Sequence, residues 1–242
     1  MRRVAVLLLA LGLAVLSGCS SPAPLAGGSA RTEAVELDNG SGLLVGTLVV
    51  PELAPGERVP LAILMHGYQS FRDEPHLVRT AEQLQAAGIA SLRMDFTGQG
   101  LSDGEVGSLG DMAVVELADS QIIYDYAAGL DFVDGISIVG YSLGGLVAAA
   151  FAGDHEVNAL VLLAPAPTYG VYVPVLDSAA AFDGPVLILQ GDSDDVVPMR
   201  VAEQYRDAFP NAELQVLEHE NHNFTYGTPV EQFTVDFLTR HG

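Results

Sequence analysis

The sequence predicts an α/β fold, with a mostly parallel central sheet, an N-terminal antiparallel hairpin and helices on both faces. Three observations carry this. Short, unbroken apolar runs such as Leu61–Met65 and Val186–Leu189 recur along the chain, as expected for strands covered on both faces. Segments with helical spacing alternate with them, the order that builds parallel sheets. Near the start, Asp38-Asn39-Gly40-Ser41-Gly42 separates two apolar stretches, which is a hairpin signal.

The elements follow in order. Ala34–Leu37 and Leu43–Val49 form the hairpin, and Leu61–Met65 is the first buried strand. A helix over Leu77–Ala87 stops at Gly88, and Ile89–Met94 is the next strand. Met112–Ala128 reads as a helix with Asp111 as its N-cap. Strand Ile136–Val139 leads into Gly140-Tyr141-Ser142-Leu143-Gly144 and a further helix. Strands Ala159–Leu163, Val186–Leu189 and Leu214–Leu217 follow, with helices over 200–208 and 229–239. The stretch from Ala166 to about Phe182 is the only irregular insertion.

The first residues stand apart. Met1-Arg2-Arg3 is basic, and Val4–Leu16 is an apolar run of 13 residues, short of the roughly 20 that a membrane-spanning helix needs. It reads as a signal peptide over 1–18. Leu16-Ser17-Gly18-Cys19 resembles a lipoprotein lipobox, which implies lipid attachment at Cys19. Cys19 is the single cysteine of the chain, so no disulfide within the chain is possible and the thiol needs another use. Residues 19–32 then form a lipidated tether and 33–242 the folded domain. The expected location is exported and anchored to the cell membrane, with the membrane as a partner through that lipid.

The net charge is −21 over 242 residues, and all ten basic residues are Arg. Loss of residues 1–18 removes Arg2 and Arg3 and leaves −23. So acidic a surface excludes nucleic acid as a partner. It fits either a saline habitat, where salt screens self-repulsion, or a genome poor in lysine codons. Oligomeric state is not readable.

Gly140-Tyr141-Ser142-Leu143-Gly144 between strand and helix is the context of a nucleophile elbow. With 26 Gly and 14 Ser, chance supplies roughly 0.16 such matches, so the pattern needs company. Acyl transfer by Ser needs a base, a carboxylate to orient the base, and donors for the oxyanion. Gly191-Asp192-Ser193-Asp194-Asp195 follows one strand and offers three carboxylates, without the spacing of a calcium loop. Glu218-His219-Glu220-Asn221-His222 follows the last strand, and one of its two histidines is the base. His66-Gly67-Tyr68 closes the first buried strand. There the amides of Tyr68 and Leu143 can face one oxyanion, and His66 is read as holding the loop. His76, His155 and His241 fall in helical or terminal contexts and are read as structural. Asp95 and the glycines after it shape a rigid loop rather than a phosphate site, since the Lys of a P-loop is absent.

These residues closely resemble the α/β-hydrolase superfamily, over about Ala62–Arg240. Within it the chain looks most like bacterial cinnamoyl and feruloyl esterases and the related serine aminopeptidase-like hydrolases. The carriers are His66-Gly67-Tyr68, the run Asp95–Gly104, Gly140–Gly145 and Leu163-Ala164-Pro165-Ala166. The resemblance selects Asp194 as the acid and, through His222-Asn223-Phe224, His222 as the base. It also implies a small-molecule ester substrate and no metal or cofactor. Those esterases carry a lid of several dozen residues after Leu163–Ala166. Here about 166–182 is all that remains, with Tyr169, Tyr172 and Phe182 as candidate pocket residues. The expected reaction is ester hydrolysis through Ser142, His222, Asp194 and an acyl-enzyme. Peptide, thioester or acyl-transfer chemistry on the same residues, or a non-catalytic surface lipoprotein, are the other readings.

Overall fold

The computed structural model describes residues 27–225, 227 and 229–242. The expected signal peptide, Cys19 and the expected tether up to residue 26 lie outside the described residues.

The hairpin pairs β1 (Arg31–Asp38) with β2 (Leu43–Val50), with Asp38 opposite Leu43. Gly40 at the turn has φ 82°, and its amide is held by the Asp38 carboxylate at 2.8 Å. β1 starts two residues inside the expected tether, and Gly28 already pairs with Leu53, so the folded domain begins earlier than residue 33. The remaining strands are β3 (Val59–Met65), β4 (Ala90–Met94), β5 (Val133–Tyr141), β6 (Leu160–Leu163), β7 (Val186–Gly191) and β8 (Ala212–Leu217). They form one sheet in the order β1-β2-β4-β3-β5-β6-β7-β8, and all pairs from β4 to β8 are parallel.

The apolar runs are continuous because both faces are covered. Leu61, Ile63 and Met65 face one core, and Ala62 and Leu64 face the other. The first core is closed by α2 (Leu109–Ala128), α3 (Leu143–Ala152) and α5 (Met199–Ala208). The second is closed by α1 (Pro75–Ala86) and α6 (Val230–His241). All ten residues of α3 are buried, as an all-apolar helix requires.

Two expectations need correction. Ser108, not Asp111, caps α2. Its side chain accepts from the Asp111 amide while the Asp111 carboxylate accepts from the Ser108 amide, a reciprocal capping box. The supposed irregular insertion contains α4 (Val175–Ala181), whose Val175 and Ala179 sit in the first core. The backbone at Ser178 presses so close to α3 that a Cβ on Gly153 would meet Ser178 O at 2.4 Å. Val175–Ala181 is therefore packed down against the core.

The chain runs outward from β3 to β4, then crosses back to β5. That reversal opens a crevice at the carboxyl ends of β3 and β5, where such sheets hold ligands. Both the His66 loop and Ser142 emerge there.

Candidate active site

Ser142 joins β5 to α3 with φ 52° and ψ −113°, a backbone state L-residues rarely adopt. The surroundings enforce it. The Ser142 amide donates to Leu163 O at 2.9 Å, and its carbonyl accepts from Gly145, Leu146 and Ala166. A Cβ on Gly140 would lie 2.4 Å from Gly144 O, and one on Gly144 would lie 2.5 Å from His66 O. The glycines are thus steric requirements of the turn.

His222 Nε2 lies 3.0 Å from Ser142 Oγ, and its Nδ1 lies 2.9 Å from Asp194 Oδ2. A carboxylate only accepts, so Nδ1 carries the proton and Nε2 presents a lone pair to the hydroxyl. Asp194 also takes the amides of Val196 and Val197 on Oδ1, at 2.9 and 2.8 Å, and Gln190 Nε2 on Oδ2 at 2.9 Å. Burial pushes its pKa up. Hydrogen bonds from His222 and Val197, the His222 charge and the Val196 amide outweigh burial and hold it below the usual carboxylate range.

The other candidates separate cleanly. His219 is exposed with φ 64°, and its amide donates to Asp192 Oδ1 at 2.7 Å. That bond ties the loop carrying His222 to the loop carrying Asp194, as does Ser193 N to Glu220 O at 3.0 Å. A Cβ on Gly191 would meet Glu220 O at 2.2 Å, so only glycine lets the two loops close. Asp195 is exposed.

His66 is fully buried, and burial lowers its pKa. Phe96 N donates to its Nε2 at 3.2 Å, so the proton sits on Nδ1, which donates to Gly67 O at 2.9 Å. The Gly67 carbonyl and the Tyr68 amide belong to one planar peptide. By fixing the first, His66 fixes the direction of the second. Among the described residues, neither the Tyr68 nor the Leu143 amide donates a hydrogen bond. Asp95, also buried, takes the amides of Arg72 and Leu101 at 2.6 and 2.9 Å and pairs with the Arg72 guanidinium. It fastens the Gly-rich loop to the His66 loop.

The aromatic pocket residues fare differently. Phe182 is in the core, edge-on to Phe209 at 6.2 Å, because its helix is packed down. Tyr169 and Tyr172 are 68% and 78% exposed. A groove of about 790 Å³ does adjoin the His222 loop, but it is lined by Phe71, Glu74, Arg79, Phe224 and Glu231 among others, and by none of these three.

Sequence reasoning also missed Gln190 and the contacts that Tyr141 makes with Asn223, His222 and His76. Gln190 breaks an apolar strand end, which was a signal. Tyr141 donates to Asn223 Oδ1 at 2.8 Å and its ring lies 5.3 Å from that of His222. His76 stands edge-on to Tyr141 at 4.6 Å, and burial, with the charges of Arg79 and His222, lowers its pKa to about 4. Among the described residues no cluster of His, Cys, Asp or Glu could hold a metal ion.

Comparison with known proteins places the chain among hydrolases. Residues 59–180 match the serine aminopeptidase S33 family, and residues 163–241 match a TAP-like protein family. An alpha/beta hydrolase, ucsC, from Acremonium sp is 36% identical over 120 residues, covering 46% of this chain and 23% of that protein. An uncharacterized Mycobacterium tuberculosis protein is 25% identical over 189 residues, covering 70% of this chain and 64% of its own length. The chain thus spans under two thirds of both relatives. Among solved structures, Est1E from Butyrivibrio proteoclasticus with ferulic acid bound superposes with a TM-score of 0.75 at 26% identity, covering 86% of this chain and 99% of Est1E. The Pyrococcus furiosus esterase Pf2001 gives 0.74 at 21%, over 88% and 92%. With half of its length matched by the family and the α/β-hydrolase sheet in place, the chain belongs to the serine aminopeptidase S33 family of α/β-hydrolases.

Proposed function

We propose that this hydrolase is a serine esterase that cleaves a small-molecule carboxylic ester through Ser142, His222 and Asp194. The observation that carries the reading is the unbroken hydrogen-bonded chain Ser142–His222–Asp194, at 3.0 and 2.9 Å, beside two undonated amides. His222 Nε2 takes the Ser142 proton as Oγ attacks the ester carbonyl. The amides of Tyr68 and Leu143 receive the oxyanion, the second of them reinforced by the N-terminus of α3. His222 then protonates the departing alcohol, leaving an acyl-Ser142. Water, deprotonated by the same nitrogen, releases the acid. The ionised Asp194 keeps the imidazole in the required tautomer throughout. No step calls for a metal or cofactor. Ester substrates are favoured by the esterases among its structural relatives, one of which binds ferulic acid.

The test is p-nitrophenyl acetate hydrolysis and fluorophosphonate labelling by residues 20–242. Both are expected to vanish in Ser142→Ala; labelling that survives the substitution sinks the assignment. An aminoacyl anilide in the same panel tests amide cleavage.

We also infer lipid attachment at Cys19 and export, from the basic, apolar and small-residue succession over 1–21. Arg31 pairs with Val50 at the amino edge of the sheet, the edge opposite Ser142. Cys19→Ser is expected to move the protein from the membrane to the soluble fraction.

A further inference from the structure

The exposed apolar side chains of this protein are not spread evenly. Among the described residues, all eleven large ones lie at the carboxyl edge of the sheet, the edge that carries Ser142. They sit on its loops, on the strand ends that reach it, or in the first two turns of the helices that leave it. The loops of the opposite edge, 51–58, 129–132, 153–159 and 183–185, expose none. Apolar side chains scattered over a surface are ordinary, but a one-sided set marks a contact.

Six of them are neighbours. Tyr68 and Phe71 follow β3, Leu101 follows β4, Leu109 opens α2, and Tyr169 and Tyr172 follow β6. Gln69 and Ser70, between the first two, share a hollow of about 450 Å³ with Gly100, beside Leu101, and with Gly107, just before Leu109. Gly110 continues the contact: a Cβ there would meet Gly170 O at 2.8 Å and the Tyr172 ring at 2.9 Å. Three separate loops therefore present one patch. Half of it is tyrosine, whose apolar ring and wet hydroxyl suit a lipid–water boundary.

Charge narrows the partner. Arg72 is the single basic side chain within 67–74, 95–111 and 166–174, and it is taken by Asp95. Asp103, Glu105 and Asp111 stand exposed on the same segments. With −21 on the chain, a second copy is repelled, and so is an anionic bilayer. A zwitterionic phosphocholine surface has no net charge. Its outermost groups are quaternary ammoniums, which tyrosine faces and carboxylates both attract.

We propose that this patch docks the protein on a zwitterionic lipid surface, with the crevice at Ser142 on the docked edge. Docking needs no turnover, so it stands apart from the esterase reading.

The experiment is co-flotation with phosphatidylcholine vesicles at physiological salt. It uses residues 20–242, which hold the whole described fold and lack Cys19. Partition is expected to fall by about tenfold or more when a third of the lipid is replaced by phosphatidylglycerol. Tyr172→Ser and Leu101→Ser, at positions 78% and 70% exposed, are expected to lower it by about fivefold each. Their urea midpoints should match the parent, which certifies the fold. Failure to float with phosphatidylcholine, equal or tighter binding to the anionic mixture, or a partition unmoved in both variants overturns the proposal. So does a lipid-free dimer that Tyr172→Ser dissolves, because the patch would then belong to a second copy.

Discussion

Two carboxyl groups are buried beside the loops at the carboxyl edge of the sheet, each taking a hydrogen bond from a glutamine amide. Their states are opposite. Asp194, with its side chain 1% exposed, takes Gln190, two backbone amides and His222, and its pKa is held down despite burial. Glu116, on α2 and 0% exposed, takes Gln99 Nε2 at 2.7 Å. Burial raises it to about 8, the Gln99 bond opposes this and the Asp119 charge adds to it. Among the described residues, Glu116 Oε2 and Gln99 Oε1 are buried without partners. A protonated Glu116 carboxyl can donate as well as accept. Burial alone therefore does not decide whether a carboxyl is charged here. The number of fixed N–H groups pointed at it does.

The sharpest way to break this contrast is to remove the charge of Asp194 and keep its shape. Asp194→Asn is expected to cost about ten-thousand-fold in kcat, because the neutral amide favours the wrong histidine tautomer. A loss under tenfold would mean that the charge is idle. The sign for stability follows from the depressed pKa. The folded state releases the Asp194 proton more readily, so its contribution is present above the ordinary value of 3.8 and is lost as pH falls below it through the folded value.

Glu116 has the opposite sign. Its folded pKa is raised from 4.5 to about 8, so its contribution is complete below 4.5 and is lost as pH rises to 8. Glu116→Gln mimics the protonated form, and its amide can donate to Gln99 Oε1. At pH 9 the variant is expected to be a few kcal/mol more stable than the parent, and about equal at pH 5, by urea unfolding. A constant offset between the two pH values would refute a protonated Glu116.

The parts of the molecule legible in sequence are those where one constraint acts alone. β3, β5, β6 and β7 read plainly because burial on both faces forces unbroken apolar runs. The reversal between β3 and β5 placed the His66 loop and Ser142 together, and the resemblance chose Asp194 and His222 from their neighbours. What was illegible depends on two segments meeting. Phe182 is aromatic whether it faces a ligand or Phe209. Val175–Ala181 becomes a helix by resting on α3. Asp111 is a fair cap until Ser108 is seen to supply the other half of the box. The state of Glu116 depends on Gln99, far from it in sequence.

A smaller test withdraws one donor from Asp194 without touching its charge. Gln190→Ala removes one of four hydrogen bonds at a fully buried position. It is expected to destabilise by about 1–3 kcal/mol, more at pH 7 than at a pH below the depressed folded value of Asp194, where the carboxyl no longer needs the donor. An equal loss at both pH values would assign the cost to the cavity rather than to the missing N–H.

The smallest expected effect lies one shell further out, at Tyr141. Burial and the charges of Glu74 and Asp194 raise its pKa, so the hydroxyl stays protonated and donates to Asn223. That bond ties the residue before Ser142 to the residue after His222, and so fixes the separation of nucleophile and base. Tyr141→Phe keeps the ring against His222 and removes only the tie. Asn223 is exposed, so water takes over its acceptor and the cost is about 1 kcal/mol. The expected result is a kcat several-fold lower with KM nearly unchanged. Asn223→Ala should match it, and the double variant should be no worse than either, since both cut the same bond. Multiplicative losses would show that each residue acts separately, and that the spacing of Ser142 and His222 is set by the packed rings alone.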